Sequence, residues 1–364
     1  MTDQSFHDAA SIAIAAGQVP IPVNETLIQL MKTIMTEEQA DFMKLFNKPS
    51  TREELAEKTD LDDAALDDML NSLMDNGIIT GIPSKSTGQM IYRPLPPIPG
   101  IFEYTMMRGE TGEKQKTLAR LFERIFDELA DMVQENYEAV APMFEAMPPM
   151  TRIIPVEKEI DLKFDTVMPY EDVKKVIDRF DTIAVAYCYC RHQKDLLNKP
   201  CQMTDERKNC LLFGRTAEFV IAHNFGEQIS GDKAKTILEA AEKAGLVHKA
   251  FHEKSDTDKE EFAICNCCKC CCETFQIYYR GAGPAATYTS YMAKVDEESC
   301  SGCGECVDIC PMEAIEMVDD LSRIDESRCI GCGVCAYHCP AEALHLERTG
   351  QRKAFVPPPK LETN

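Results

Sequence analysis

The chain has 364 residues, 27% of them charged, with a formal net charge of −22 and 18 cysteines. Its length exceeds what one hydrophobic core usually serves. Its acidity argues against nucleic acid or an anionic membrane surface as partner, and favours a protein that docks through a basic patch. The start "MTDQSFHDAASIAIAAGQ" lacks a basic-then-apolar leader, and no run reaches the roughly 18 apolar residues of a membrane span. The expectation is therefore a cytoplasmic chain with reduced thiols, where clustered cysteines mean metal and adjacent ones point to an anaerobic owner.

After an arm at 1–24, "TEEQ" from Thr36 and "TREE" from Thr51 have the form of capping boxes that open helices. "DDAALDDMLNSLMDNG" repeats Leu66, Met69, Leu70, Leu73 and Met74 on one helical face, with Gly77 as its stop. Two short apolar runs around a polar turn follow in "IITGIPSKSTGQMIYRPL". This order of helices and ribbon over 25–110 resembles a winged-helix domain. Its recognition position holds Asp62, Asp63, Asp67, Asp68 and Asp75, with no Lys or Arg between Lys58 and Lys85, which opposes phosphate binding. A protein-docking or dimerising module is expected instead.

Residues 111–150 read as a helical connector. Within 113–138, Leu118, Leu121, Phe122, Ile125, Phe126, Leu129, Met132 and Val133 form a broad apolar face. Either this chain or a second copy in a homo-oligomer must cover it. "APMFEAMPPM" reads as a boundary.

The stretch 151–280 reads as a cysteine-rich α/β domain: strand "RIIPVE", helix "PYEDVKKVIDRF", strand "TIAVAYC", helix "RTAEFVIAHN", and a helix capped by Ser230 and stopped by Gly245. "TIAVAYC" delivers a cysteine to the carboxyl end of a strand, where such folds place ligands. Cys188, Cys190, Cys201 and Cys210 follow as C-x-C-x10-C-x8-C among Arg191, His192, Lys194, Lys199, Arg207 and Lys208. Cations lower thiol pKa and favour ligation, so this loop is expected to hold a third 4Fe-4S cluster, with zinc as the alternative. In "AICNCCKCCCETF", Cys265, Cys267, Cys268, Cys270, Cys271 and Cys272 cannot all face one centre. An extended chain puts Cys268, Cys270 and Cys272 on one side, and a turn or helix groups Cys265, Cys268 and Cys272. One subset is expected to converge and another to face elsewhere; with the loop cysteines these could serve two further cubes with two thiols to spare, one cube plus an open reactive site, or a cluster that is not a simple cube.

At an offset of 29 residues, "DEESCSGCGECVDICPMEAIEM" superposes on "DESRCIGCGVCAYHCPAEALHL", each half reading C-x2-C-x2-C-x3-C-P. Glycines at 302, 304, 331 and 333 would let three thiolates converge. The pattern resembles the bacterial-type two-cluster ferredoxin, for which this run is the known signature. That resemblance implies cluster I on Cys300, Cys303, Cys306 and Cys339, and cluster II on Cys329, Cys332, Cys335 and Cys310. Zinc is the bland alternative. Ile309, Ile315, Met317, Ile330, Leu344 and Leu346 are expected to pack around the two sites, and Tyr337 and His338 to pack or tune beside them.

The whole is an α+β multidomain chain: winged-helix-like start, central α/β cysteine-rich domain, ferredoxin-like two-cluster domain at 281–350 and a tail at 351–364. It resembles multidomain 4Fe-4S ferredoxin-type proteins of anaerobes. Dinucleotide and phosphate-loop glycine patterns are missing, so electrons are expected to arrive from a redox protein, such as a flavoprotein. The expected function is relay of single electrons, as a component of an oxidoreductase system more than as a stand-alone enzyme. The alternatives are a reductase whose open or unusual central site acts on a small anion near Arg191 and His192, and an iron-sulfur redox sensor.

Overall fold

The computed structural model describes residues 2–160, 172–252 and 261–361. The chain divides into two compact units. The first comprises 1–129, 186–200 and 215–227, and the second 130–185, 201–214 and 228–364.

The first unit opens with α1 (Thr2–Ala15), α2 (Glu25–Ile34), α3 (Glu37–Met43), α4 (Arg52–Ala56) and α5 (Asp63–Asp75). Thr36 and Thr51 each accept from the backbone N–H three residues on. The side chains of Gln39 and Glu54 accept in return from the cap N–H, so both capping boxes are complete. Asp62 caps α5 by accepting from the Ala65 N–H, and Gly77, at φ +67°, ends it. Leu66, Leu70, Leu73 and Met74 are buried. Strands β1 (Ile79–Pro83) and β2 (Met90–Pro94) form an antiparallel hairpin, and Ser50 adds a bridge to Tyr92.

Helices α6 (Phe102–Met106) and α7 (Glu113–Glu135) follow. Along α7, Leu118, Phe122, Ile125, Phe126, Leu129 and Val133 are buried within the chain. Phe102 packs against Phe122 and Phe126 with ring centroids 4.9 and 5.3 Å apart. α8 (Tyr137–Ala146) follows within the expected helical connector and runs into the first six residues of "APMFEAMPPM". Helix runs through Pro142 because the missing N–H removes one backbone bond while the turns on either side persist.

The later elements are β3 (Thr151–Ile154), α9 (Val173–Ile177), β4 (Ile183–Tyr187), α10 (Tyr189–Leu196), β5 (Lys208–Phe213), α11 (Gly214–Ala222), β6 (Glu227–Gln228), α12 (Gly231–Lys243), β7 (Val247–His252) and β8 (Glu261–Cys267). Of the helix expected from Pro169, residues 169–171 lie outside the described residues. Ser230 caps α12, and Gly245 follows it at φ +71°. The chain ends with α13 (Glu273–Tyr279), β9 (Ala285–Val295), α14 (Glu305–Ile309), β10 (Ile315–Val318), β11 (Leu321–Ile324), α15 (Val334–Tyr337) and β12 (Leu344–Val356).

Eight strands form one sheet in the order β12-β9-β3-β7-β8-β5-β4-β6. β12 with β9, β3 with β7, β7 with β8, and β8 with β5 are antiparallel, and β3 with β9 is parallel. The central region mixes helices with a sheet whose described neighbours are mostly antiparallel. Antiparallel neighbours need only short connections, whereas parallel ones need a crossover of a dozen residues or more. β9 and β12 extend the same sheet into the cysteine repeat. The Val156 N–H, just beyond β3, donates to the Cys332 carbonyl at 3.0 Å.

Within the repeat, Gly302, Gly304, Gly331 and Gly333 all have positive φ, between +64° and +81°. A Cβ on Gly331 would lie 2.1 Å from the Tyr291 carbonyl oxygen, whereas one on Gly304 would have no neighbour within 4 Å. Gly331→Ala should therefore combine a left-handed backbone penalty of roughly 1–2 kcal/mol with a steric cost of about 1–3 kcal/mol. Gly304→Ala should show the first alone. Thermal unfolding followed by circular dichroism should place Gly331→Ala several degrees below Gly304→Ala, and equal midpoints would contradict the packing described.

Candidate metal centres

In the second unit, Cys310, Cys329, Cys332 and Cys335 line one cavity with Met312, Ile315, Ile324 and Ile330. Cys300, Cys303, Cys306 and Cys339 line another with Ser322, Pro340 and Leu344. Each cavity thus gathers three cysteines of one run and the last cysteine of the other. The crossing is made locally by α14. It carries Cys306 to one cavity and delivers Cys310, four residues on, to the other.

The two sets of cysteines differ in exposure. Cys310, Cys329, Cys332 and Cys335 are all buried, whereas Cys303 is exposed and Cys300 and Cys339 are half-buried. Burial pushes the Cys332 thiol up to about 12 and raises Cys335 and Cys310. Cys300 is lowered, chiefly because the Ser322 backbone N–H donates to it. The Ser322 hydroxyl lies 3.1 Å from Cys306 Sγ and 3.7 Å from Cys300 Sγ. The last cysteine of each run accepts a backbone N–H, Cys310 from Ala314 at 3.4 Å and Cys339 from Ala343 at 3.3 Å. Four sulfur donors around an apolar cavity, with N–H groups aimed at sulfur, fit 4Fe-4S ligation.

The central cysteines group differently from the expected loop site. Sγ atoms of Cys201, Cys268, Cys270 and Cys271 all lie within 4.8 Å of one another. Cys188 and Cys190 sit at the start of α10 in the first unit and Cys210 on β5, and none belongs to this group. The reason is the sheet order. β8 lies between β7 and β5, so the turn after β8 returns to the loop before β5. The Cys272 N–H closes that turn on the Cys268 carbonyl at 3.1 Å, and Gln276 Nε2 donates to the Lys269 carbonyl at 2.7 Å. Cys201 is held far below the usual thiol range, mainly through its sulfur–sulfur hydrogen bond with Cys268. Cys271 is pushed far up by donating to Cys201. At Cys270, donation to Cys201 is outweighed by acceptance from Cys268 and Cys271, which brings it down to about 6.

The expected basic pocket is also different. Arg191, His192 and Lys194 are buried. Lys194 Nζ pairs with Glu123 at 2.7 Å, Lys199 reaches the same carboxylate at 3.3 Å, and His192 Nε2 lies 2.7 Å from the Glu110 carbonyl oxygen. α10 is amphipathic in an inverted sense, with its cations inside a core that supplies their partners.

A second thiol group comprises Cys265, Cys267 and Cys272. Cys267 is raised well above the ordinary thiol value, first by its hydrogen bond to Cys272. Buried Lys249 stands opposite Cys265 across the β7–β8 ladder, and its ammonium donates to Thr274 Oγ1 at 2.8 Å. Thr274 Oγ1 lies 3.1 Å from Cys272 Sγ. Cys267 and Cys272 share one apolar core with Cys306, Cys310, Cys329, Cys332 and Cys335. The six clustered cysteines thus face two ways, a division matching neither subset expected from strand or helix periodicity. Ser322 and Lys249 were not legible as site residues, since neither lies in a cysteine motif. Cross-strand register alone brings Lys249 to Cys265. Tyr337 and His338 stay beside the ligands, with His338 Nε2 3.0 Å from the Glu242 carbonyl oxygen and Lys158 over the Tyr337 ring.

Comparison with known proteins agrees with the C-terminal geometry. Residues 292–340 match the model of the 4Fe-4S dicluster domain. A 27-residue stretch, 7% of this chain, is 56% identical to Ferredoxin-2 of Desulfomicrobium norvegicum and covers 46% of that protein. The chain thus spans about half the length of this relative, and no solved structure matches. Among the described residues no helix is long and apolar enough to cross a membrane. The dicluster match and the two cysteine-lined cavities together support 4Fe-4S clusters in this chain, carried by the ferredoxin-type segment at 292–340.

Proposed function

We propose that the protein relays single electrons between a redox protein and its own clusters, with cluster I on Cys300, Cys303, Cys306 and Cys339 as the surface port. Cluster II, on Cys329, Cys332, Cys335 and Cys310, is the interior store. The observation that carries this reading is the graded exposure of the two quartets, Cys303 open to solvent and all four cysteines of the other buried. Four residues of helix separate Cys306 from Cys310, an axial rise of about 6 Å, so the clusters they serve stand within easy electron-transfer range. When bound, the clusters supply one-electron chemistry. The chain supplies their spacing, the exclusion of water from the inner one and the hydrogen bonds to sulfur.

The partner we infer presents a basic face. Around the port, Glu298, Glu305, Asp308, Asp319 and Asp320 are exposed. Such a field steers a basic partner and raises encounter rates by about 10- to 1000-fold at low salt. The helical and hairpin segment at 25–110, read as winged-helix-like, serves on this account as a protein-docking module. Arg52 on α4 is occupied by Asp63 and Asp67 of the acidic helix, which gives phosphate no purchase there. Cys265, Cys267 and Cys272 suit a further iron-sulfur site in the same core. The reductase reading is weaker, since Lys194 and His192 are engaged by Glu123 and Glu110.

Two outcomes follow. Ser322→Ala removes a hydroxyl donor from the sulfur of cluster I. A hydrogen bond to a charged group that changes by about 1 kcal/mol between oxidation states moves a one-electron potential by roughly 40 mV. A redox titration monitored by EPR should show cluster I fall by that order with cluster II fixed, and an unmoved cluster I would contradict the assignment. In stopped-flow reduction of a basic electron acceptor, the rate should fall steeply with added salt. The double variant Glu305→Lys, Asp308→Lys should be slower at low salt by about tenfold. A salt-independent rate would remove the acidic docking face from the account.

A further inference from the structure

We infer that Cys201, Cys268, Cys270 and Cys271 bind one tetrahedral metal ion, and that this centre, unlike the C-terminal pair, is not a four-iron cube. The spacing of the sulfurs separates the two kinds of centre. A single ion with metal–sulfur bonds of about 2.3 Å sets its four sulfurs about 3.8 Å apart by the geometry of a tetrahedron. A cube carries each thiolate on a separate corner iron and spreads the sulfurs to about 6 Å. Here Cys201 Sγ lies 3.7 Å from both Cys268 Sγ and Cys270 Sγ, and Cys270 Sγ lies 3.5 Å from Cys271 Sγ. All four are within 4.8 Å of one another. Among the described residues, no other three or more ligand-bearing side chains converge so tightly. The cysteines of the C-terminal quartets stand instead around cavities.

The surroundings agree with a closed site. Cys201, Cys268 and Cys271 are buried, and Ala241, Leu246, Met203 and Ala244 pack around them. Four thiolate ligands with no open position describe a structural centre. It pins the loop before β5 to the turn that leads into α13, and so fixes Cys272, the first residue beyond that turn. Zinc and a single iron are the ions whose chemistry matches four thiolates in this geometry. The centre contributes rigidity whichever of the two is bound.

The test is metal analysis of the full-length, anaerobically purified protein, with X-ray absorption at the zinc and iron edges. One zinc per chain with four sulfurs at about 2.3 Å supports the proposal. One iron beyond the sulfide-matched count, with a mononuclear ferric tetrathiolate signal, supports it equally. Cys201→Ser and Cys268→Ser should each lose that ion while retaining the iron and acid-labile sulfide of the C-terminal module. Loss of about four irons with their sulfide from either variant would overturn it. Should both variants fail to fold, the wild-type protein still decides: a chain with neither zinc nor unmatched iron overturns the inference.

Discussion

Gathering four thiolates around one point is unfavourable unless a cation neutralises them, because like charges in a poorly solvated interior repel and each has lost its water. This constraint governs the second unit. Eight cysteines line two cavities at one end of its sheet, and four more converge between the loop before β5 and the turn after β8. Metal binding at such thiolate groups is coupled to folding wherever the site does not exist in the unfolded chain.

From that constraint come the unusual features of the backbone. Left-handed glycines let the ligand loops turn sharply, and Gly331 lies against the Tyr291 carbonyl where a side chain has no room. Arg352 on β12 donates to the Cys329 carbonyl at 2.7 Å, so the outermost strand of the sheet also braces a ligand loop. Tyr279 at the end of α13 donates its hydroxyl to the Pro311 carbonyl at 2.6 Å, joining the central cysteine turn to the prolyl end of the first repeat. These contacts make Cys267, Cys272 and the C-terminal module parts of one packed body with a shared apolar core.

What was legible in the sequence was local. The repeat could be read because each ligand run is a tight turn with fixed spacing, so distance along the chain and distance in space nearly coincide. The capping boxes at Thr36 and Thr51 and the cap of Ser230 were legible for the same reason. The thiol quartet was not, since Cys201 and Cys268 are 67 residues apart and only the position of β8 between β7 and β5 unites them. Cys201, Cys188, Cys190 and Cys210 are neighbours in sequence, and that proximity gave no sign that Cys201 would meet Cys268, Cys270 and Cys271. The burial of α10's cations was not legible either: Arg191, His192 and Lys194 are buried, with Lys194 against Glu123 and His192 against the Glu110 carbonyl.

The central claim, that the C-terminal repeat holds two 4Fe-4S clusters close enough to exchange electrons, is tested most directly by EPR of the anaerobically reduced protein. Two reduced clusters at this spacing should give a broadened spectrum with splittings from their magnetic interaction, narrowing to a simple signal at partial reduction. Two independent, unsplit signals at full reduction, or no cluster signal at all, would contradict it.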